Sequence, residues 1–159
     1  MKSKELSTAD SLIYLLKSKI PTLPASPINI QHYAQNILNT YNEDAVWFAN
    51  ATILAESNIN IFSVNLTNSW PFEFARTQVI QFVDTGIEQD FGLITPLNQT
   101  NMVRLTTNIT FYLDSDLLMI FFLDDGGAQL SNYLGPGLIN NLSASYMRDK
   151  IPGSWSKTN

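Results

Sequence analysis

Leu117-Leu118-Met119-Ile120-Phe121-Phe122-Leu123 is an unbroken apolar run held between Asp114-Ser115-Asp116 on one side and Asp124-Asp125-Gly126-Gly127 on the other. Alternating apolar and polar residues mark a strand with one wet face, whereas a run with no polar member marks a strand covered on both faces. The run is far short of the roughly twenty residues that a membrane helix needs. The Asp residues at both ends, with Gly126-Gly127 at the second, are turn formers, because Asp and Gly accept tight backbone geometry. The sequence therefore predicts a central strand over 117–123, covered on both faces.

Upstream, Val103, Leu105, Thr107, Ile109, Phe111 and Leu113 share one face of an extended chain, which predicts a long strand over 102–113. A hairpin turn at Asp114-Ser115-Asp116 joins it to the central run. Further strands are predicted at 91–95, at 76–84 and at 58–66, where Ile59, Ile61, Val64 and Leu66 alternate with asparagines apart from a bulge at Phe62-Ser63. Residues 43–56 carry two signals: Ala45, Ala49, Ala51 and Ala55 favour a helix, while Val46, Trp47, Phe48, Ile53 and Leu54 suit a buried strand. The alanines tip this segment toward helix.

The N-terminal part is helical by pattern. Ser7-Thr8-Ala9-Asp10 reads as a capping box opening a helix to Lys19, and Ser26-Pro27 caps a second helix carrying Ile30, Tyr33, Ala34, Ile37 and Tyr41. Downstream of the central run, 128–134 suits a helical turn or two, Gly135-Pro136-Gly137 breaks it, and 138–148 resumes as helix. The expected fold class is α+β: a mainly antiparallel sheet of about five strands, two or three N-terminal helices and a C-terminal helix. Residues 1–150 are expected to form a single domain, with 151–159 as a polar C-terminal tail.

Composition closes several functional classes. The chain has no cysteine and a single histidine, His32, so thiol chemistry, cysteine zinc sites and multi-histidine metal sites are excluded. His32 sits early in the second predicted helix with no acidic residue within a turn, which suits a capping or solvent-facing role over a general base. Glu43-Asp44 and Glu56 sit where a helix would start and end, and read as capping residues. Asp114, Asp116, Asp124 and Asp125 form the densest acidic group, but the two ends of the intervening strand stand more than about 20 Å apart and cannot converge on one ion. No metal, cofactor or catalytic residue is expected, and the protein is expected not to be an enzyme.

Charge is distributed unevenly. Lys2, Lys4, Lys17 and Lys19 open the chain and Arg148, Lys150 and Lys157 close it, with only Arg76 and Arg104 between them among many carboxylates. Phosphate binding needs clustered Lys and Arg, so the acidic body is not expected to bind nucleic acid. Trp70, Phe72 and Phe74 around Pro71 read as a core loop or contact surface. No signal-peptide core or transmembrane segment is visible, and no membrane partner is expected. That makes glycosylation an improbable use of the five Asn-x-Ser/Thr triplets at Asn50, Asn65, Asn98, Asn108 and Asn141. Only 14% of residues are charged against 45% hydrophobic. A surface with so little repulsion favours contact between copies.

Asp90-Phe91-Gly92-Leu93-Ile94-Thr95-Pro96-Leu97, followed by Arg104-Leu105-Thr106-Thr107-Asn108, resembles a motif of tailed-bacteriophage neck and tail-terminator proteins. That resemblance implies a non-enzymatic structural protein of the virion, assembled in the host cytoplasm, that forms a symmetric ring with copies of itself and other virion structural proteins. The candidate interface is Lys2, Lys4, Arg76, Arg104, Arg148, Lys150 and Trp155, and in such a ring the basic ends of one copy could meet the acidic body of the next. The alternative expectation is a small-ligand-binding or enzymatic α+β domain with a pocket between helices and a curved sheet.

Overall fold

The computed structural model describes residues 4–44, 46–56, 59–66, 72–75, 86–96, 99–137 and 145–157. Helix α1 (Lys4–Lys19) runs into a 3₁₀ turn (Ile20–Thr22), and α2 (Ile30–Thr40) follows. Strands β1 (Trp47–Glu56), β2 (Ile59–Leu66), β3 (Phe72–Ala75) and β4 (Gly86–Thr95) come next, then a short helix α3 (Gln99–Leu105). The chain ends with β5 (Asn108–Leu113), β6 (Leu118–Leu123), β7 (Gln129–Gly135), β8 (Tyr146–Pro152) and β9 (Ser154–Lys157). The class is α+β, and every strand pairing is antiparallel.

The strands form one sheet in the order β8-β5-β6-β7-β4-β1-β2-β3-β9. Its two edge strands, β8 and β9, are consecutive in sequence and separated only by Gly153, so one bent stretch of chain pairs with β5 through its first half and with β3 through its second. A sheet whose two edges are the same piece of chain is rolled up. Phe122 of β6 and Trp155 of β9 confirm it: far apart in strand order, their rings meet at 5.3 Å between centroids. Closure removes most of the exposed sheet edge that would otherwise recruit other chains.

Rolling gives each strand an inside and an outside, and the residues divide accordingly. Leu118, Ile120 and Phe122 of β6 join Ile109, Phe111 and Leu113 of β5, Ala49 and Ala51 of β1, Ile94, Tyr133, Ile151 and Trp155 in an interior core. Met119, Phe121 and Leu123 point the other way, with Leu93, Leu134, Tyr112 and Phe48, under a helical cap. Ala9, Leu12, Ile13 and Leu16 are spaced to form one stripe of α1, and Ile30, Ala34 and Ile37 one stripe of α2. β6 is apolar at every position because it is roofed by the cap and floored by the barrel interior, and all six residues are buried. The prediction for 117–123 holds for this reason.

Several expectations are corrected. Segment 43–56 is strand β1 from Trp47 on, because Ala49 and Ala51 fit the crowded barrel interior as small residues and both are fully buried. The long strand 102–113 is split: Gln99–Leu105 is α3, which inserts Met102 into the interior core, and only Asn108–Leu113 is extended. Residues 129–135 form β7, with ladders to β4 and β6, in place of a helical turn. Of the expected C-terminal helix, Tyr146–Arg148 belongs to β8 and 138–144 lie outside the described residues. Ser154–Lys157, within the segment read as a polar tail, is strand β9. The sheet has nine strands where about five were expected, and the expected strand 76–84 lies outside the described residues. The cap of α2 is Asn29, whose side chain accepts from the His32 amide at 3.1 Å, in place of Ser26. Phe72 and Phe74 lie on β3, and Trp70 lies outside the described residues.

Candidate functional site

Three polar constellations stand out. The first lies where the end of α1 meets the β5–β6 turn. Asp114 accepts from the backbone amides of Asp116 and Leu117 at 2.7 and 2.8 Å through Oδ1, and from Lys19 Nζ and Tyr112 Oη at 2.6 and 2.8 Å through Oδ2. Lys19 also reaches Asp116 at 3.0 Å. Burial alone would raise the Asp114 pKa, but the hydrogen bonds from Lys19, the turn amides and Tyr112 outweigh it and hold the carboxyl below its ordinary value. Burial would likewise lower Lys19, and its bonds to the two aspartates raise it instead. Burial pushes Tyr112 up, and its bond to Asp114 adds to the shift. Every one of these bonds stabilises the turn or ties it to α1, so the constellation is a structural latch.

The second constellation lies inside the barrel. Asp90 of β4 and Tyr133 of β7 are both buried; Tyr133 Oη donates to Asp90 Oδ2 at 2.5 Å, and the Gly137 amide donates to Oδ1 at 2.8 Å. Burial, then the charge of Asp90, raises the Tyr133 pKa well above the ordinary phenol value. Space for this pair comes from two glycines. A Cβ at Gly135 would overlap Asp90 Oδ2, and one at Gly92 would overlap the Leu134 carbonyl and crowd the Tyr133 ring. Sequence reasoning missed this pair. The available signal was a glycine two residues from each partner, Gly92 after Asp90 and Gly135 after Tyr133, since glycine inside a strand marks a close approach.

The third is an open cleft of about 110 Å³ at one rim of the barrel, lined by Asn108, Leu123, the Asp124–Gly127 turn and Lys150. Asp149 and Lys150 face the single residue Thr110 across the β5–β8 ladder, forming a bulge. The Thr110 hydroxyl donates to Asp149 at 2.6 Å and accepts from the Lys150 amide at 3.3 Å. Lys150 has φ 52°, a left-handed conformation uncommon for a residue with a Cβ. On the other wall, Asp124 accepts from the Ala128 amide at 2.8 Å, which makes its carboxylate part of the turn.

The four aspartates singled out in the sequence are thus two separate turns. Among the described residues no group of three or more acidic, histidine or cysteine side chains is placed to hold a metal ion. His32 is exposed in the first turn of α2, 3.5 Å from Asn36 Nδ2. Of the candidate interface residues, Arg104, Arg148 and Lys150 are exposed, on α3 and β8. Trp155 is 8% exposed and packs in the interior core, so it contributes to barrel packing. Lys4 begins α1, while Lys2 and Arg76 lie outside the described residues. No described helix is long and apolar enough to cross a membrane.

No protein-family model matches the chain, and no curated protein matches it. Among solved structures it is similar to the virulence-associated protein VapB from the intracellular pathogen Rhodococcus equi, with a TM-score of 0.58 and 14% identity over 70% of this chain and 96% of that one. It is also similar to the virulence-associated protein VapD of the same organism, with a TM-score of 0.54, 14% identity and the same coverage. At this identity the likeness is one of fold. It overturns the resemblance to bacteriophage neck and tail-terminator proteins, and the virion function and location drawn from it. The motif behind that resemblance is also broken structurally, since Asp90–Thr95 lies on β4 whereas Arg104-Leu105 ends helix α3. The alternative of a pocket between helices and sheet finds no support either, because apolar side chains pack that interface.

Proposed function

We propose that this chain is a non-enzymatic binding protein that works through its outer surface, with a second copy of itself as the first partner to test. The packed interior core carries this reading. Among the described residues, strands β1, β4 to β9 and helix α3 all send apolar or aromatic side chains into one interior core, so these elements fill their share of the interior with their own side chains. The buried ionisable groups described above are taken up in structural contacts, the latch at Asp114 and the pair at Asp90. The neighbours are described only as virulence-associated, which names a biological setting, and a protein acting by contact fits such a setting.

Self-contact is supported by charge. The chain carries a net charge of −5, yet Arg104, Arg148 and Lys150 stand exposed, so cationic side chains of one copy have acidic counterparts on another. Sedimentation over a wide concentration range is the test. The average mass should rise with concentration, and the rise should shrink at 1 M salt, where screening acts beyond about 3 Å. Replacing Arg148 and Lys150 together with glutamate should abolish it. A monomer at every concentration would sink self-contact, turnover of a small metabolite would sink the non-enzymatic reading, and tight binding of one inside the barrel would sink the outer-surface reading.

A further inference from the structure

We infer that the Asp125–Gly126 peptide, at the tip of the β6–β7 turn, is a site of spontaneous backbone isomerisation to isoaspartate. The reaction needs a carboxyl group and the following amide nitrogen both free, with little bulk over the peptide. Asp125 and Gly126 are exposed. The bonds that shape the turn run past them: Asp124 N to Ala128 O and Gly127 N to Asp124 O, each at 3.0 Å, and Ala128 N to Asp124 Oδ1 at 2.8 Å. None of these bonds engages the Asp125 carboxylate or the Gly126 amide. A Cβ built on Gly126 would meet only Asp124 Oδ1, at 3.5 Å, so the space above the peptide is open.

The chemistry balances without a co-reactant. The Gly126 nitrogen bonds to Cγ of Asp125, and one water leaves, giving a cyclic succinimide. Water then adds to one of the two ring carbonyls. Addition at Cγ restores aspartate; addition at the main-chain carbonyl breaks its bond to the Gly126 nitrogen and leaves the chain running through the side-chain carboxyl. The product keeps the mass and charge but adds a methylene to the main chain, beside the cleft shared with Lys150 and Asn108.

A second aspartate serves as an internal control. Asp114 precedes the small residue Ser115, also in a turn, but both its oxygens accept hydrogen bonds and it is buried. It should stay intact. The full chain is held folded for weeks at neutral pH and body temperature, digested, and the peptides are separated and fragmented by electron transfer. The expected result is a second peak of unchanged mass with isoaspartate-specific fragments at residue 125, several-fold above any at residue 114. Gly126→Ala should reduce it several-fold and Asp125→Glu should remove it. Isoaspartate formed through Asn68-Ser69 is set apart by its one-unit mass gain and its position. The inference is overturned if the folded protein accumulates no more isoaspartate at 125 than at 114, if Gly126→Ala leaves the rate unchanged, or if product appears only after denaturation.

Discussion

The two ends of β6 carry nearly the same turn chemistry and use it in opposite ways. At one end Asp114 is buried, saturated with hydrogen bonds and tied to a helix almost a hundred residues away in sequence. At the other, Asp124 shapes a turn and Asp125 projects into solvent beside a shallow cleft. The difference arises from what lies overhead. The C-terminal end of α1 reaches the first turn and brings Lys19 with it, whereas at the second α2 bonds to Gln129, where β7 begins, and brings no cation to the turn aspartates among the described residues. An aspartate in a turn therefore has no fixed energetic weight; its weight is set by how many buried donors the fold directs at it.

Substitutions at the two turns should separate by size. Asp114→Ala takes an acceptor from Tyr112 Oη and from two turn amides and leaves Lys19 with Asp116 alone, and should cost about 2–4 kcal/mol in chemical denaturation. Lys19→Met keeps the other three bonds to Asp114 and should cost about 1–2 kcal/mol, less than the aspartate because the lysine is partly solvated. Asp124→Ala removes one exposed bond to the Ala128 amide and should cost about 0.5–1 kcal/mol. Asp125→Ala should stay within about 0.5 kcal/mol of the parent. An Asp125 effect as large as that of Asp114 would break the comparison.

The pH dependence sharpens it. The folded pKa of Asp114 lies below its ordinary 3.8, so its contribution is complete above pH 3.8 and is lost as pH falls through the folded value. The folded pKa of Lys19 lies above its ordinary 10.5, so its contribution is complete below pH 10.5 and fades as pH rises through the folded value. Melting temperature against pH should show both limbs. Asp114→Asn should flatten the acid limb and Lys19→Met the alkaline one.

Local patterning made the helices α1 and α2, the central strand and the β5–β6 hairpin legible in the sequence, because each has a period or turn signal of its own. It misplaced elements whose composition answers to distant partners. Gln129-Leu130-Ser131-Asn132-Tyr133-Leu134-Gly135 shows no strand alternation, yet it is a buried strand. Its polar members are satisfied across the sheet and cap: Ser131 by the Pro96 carbonyl, Asn132 by the Thr95 carbonyl, Gln129 by the Tyr33 carbonyl and Tyr133 by Asp90. Trp155 read as a surface anchor because its neighbours are polar, and only closure of the barrel explains why it is buried. The latch was half legible: Asp114 and Asp116 stood out as turn residues, but nothing near them in sequence pointed to Lys19.

The sequence by itself determined the class of the protein, the doubly covered strand at 117–123, its two Asp-led turns, and the lack of cysteine or clustered histidine chemistry. These are properties of composition and of spacing within a few residues. Tertiary structure alone decided that the sheet rolls up through the bent β8–β9 segment, that its described strands pack their inner faces into one core, and that one turn is latched while the other is open. Those outcomes depend on which residues far apart in the chain come together, and a one-dimensional pattern holds no record of a partner's position until the chain has closed on itself.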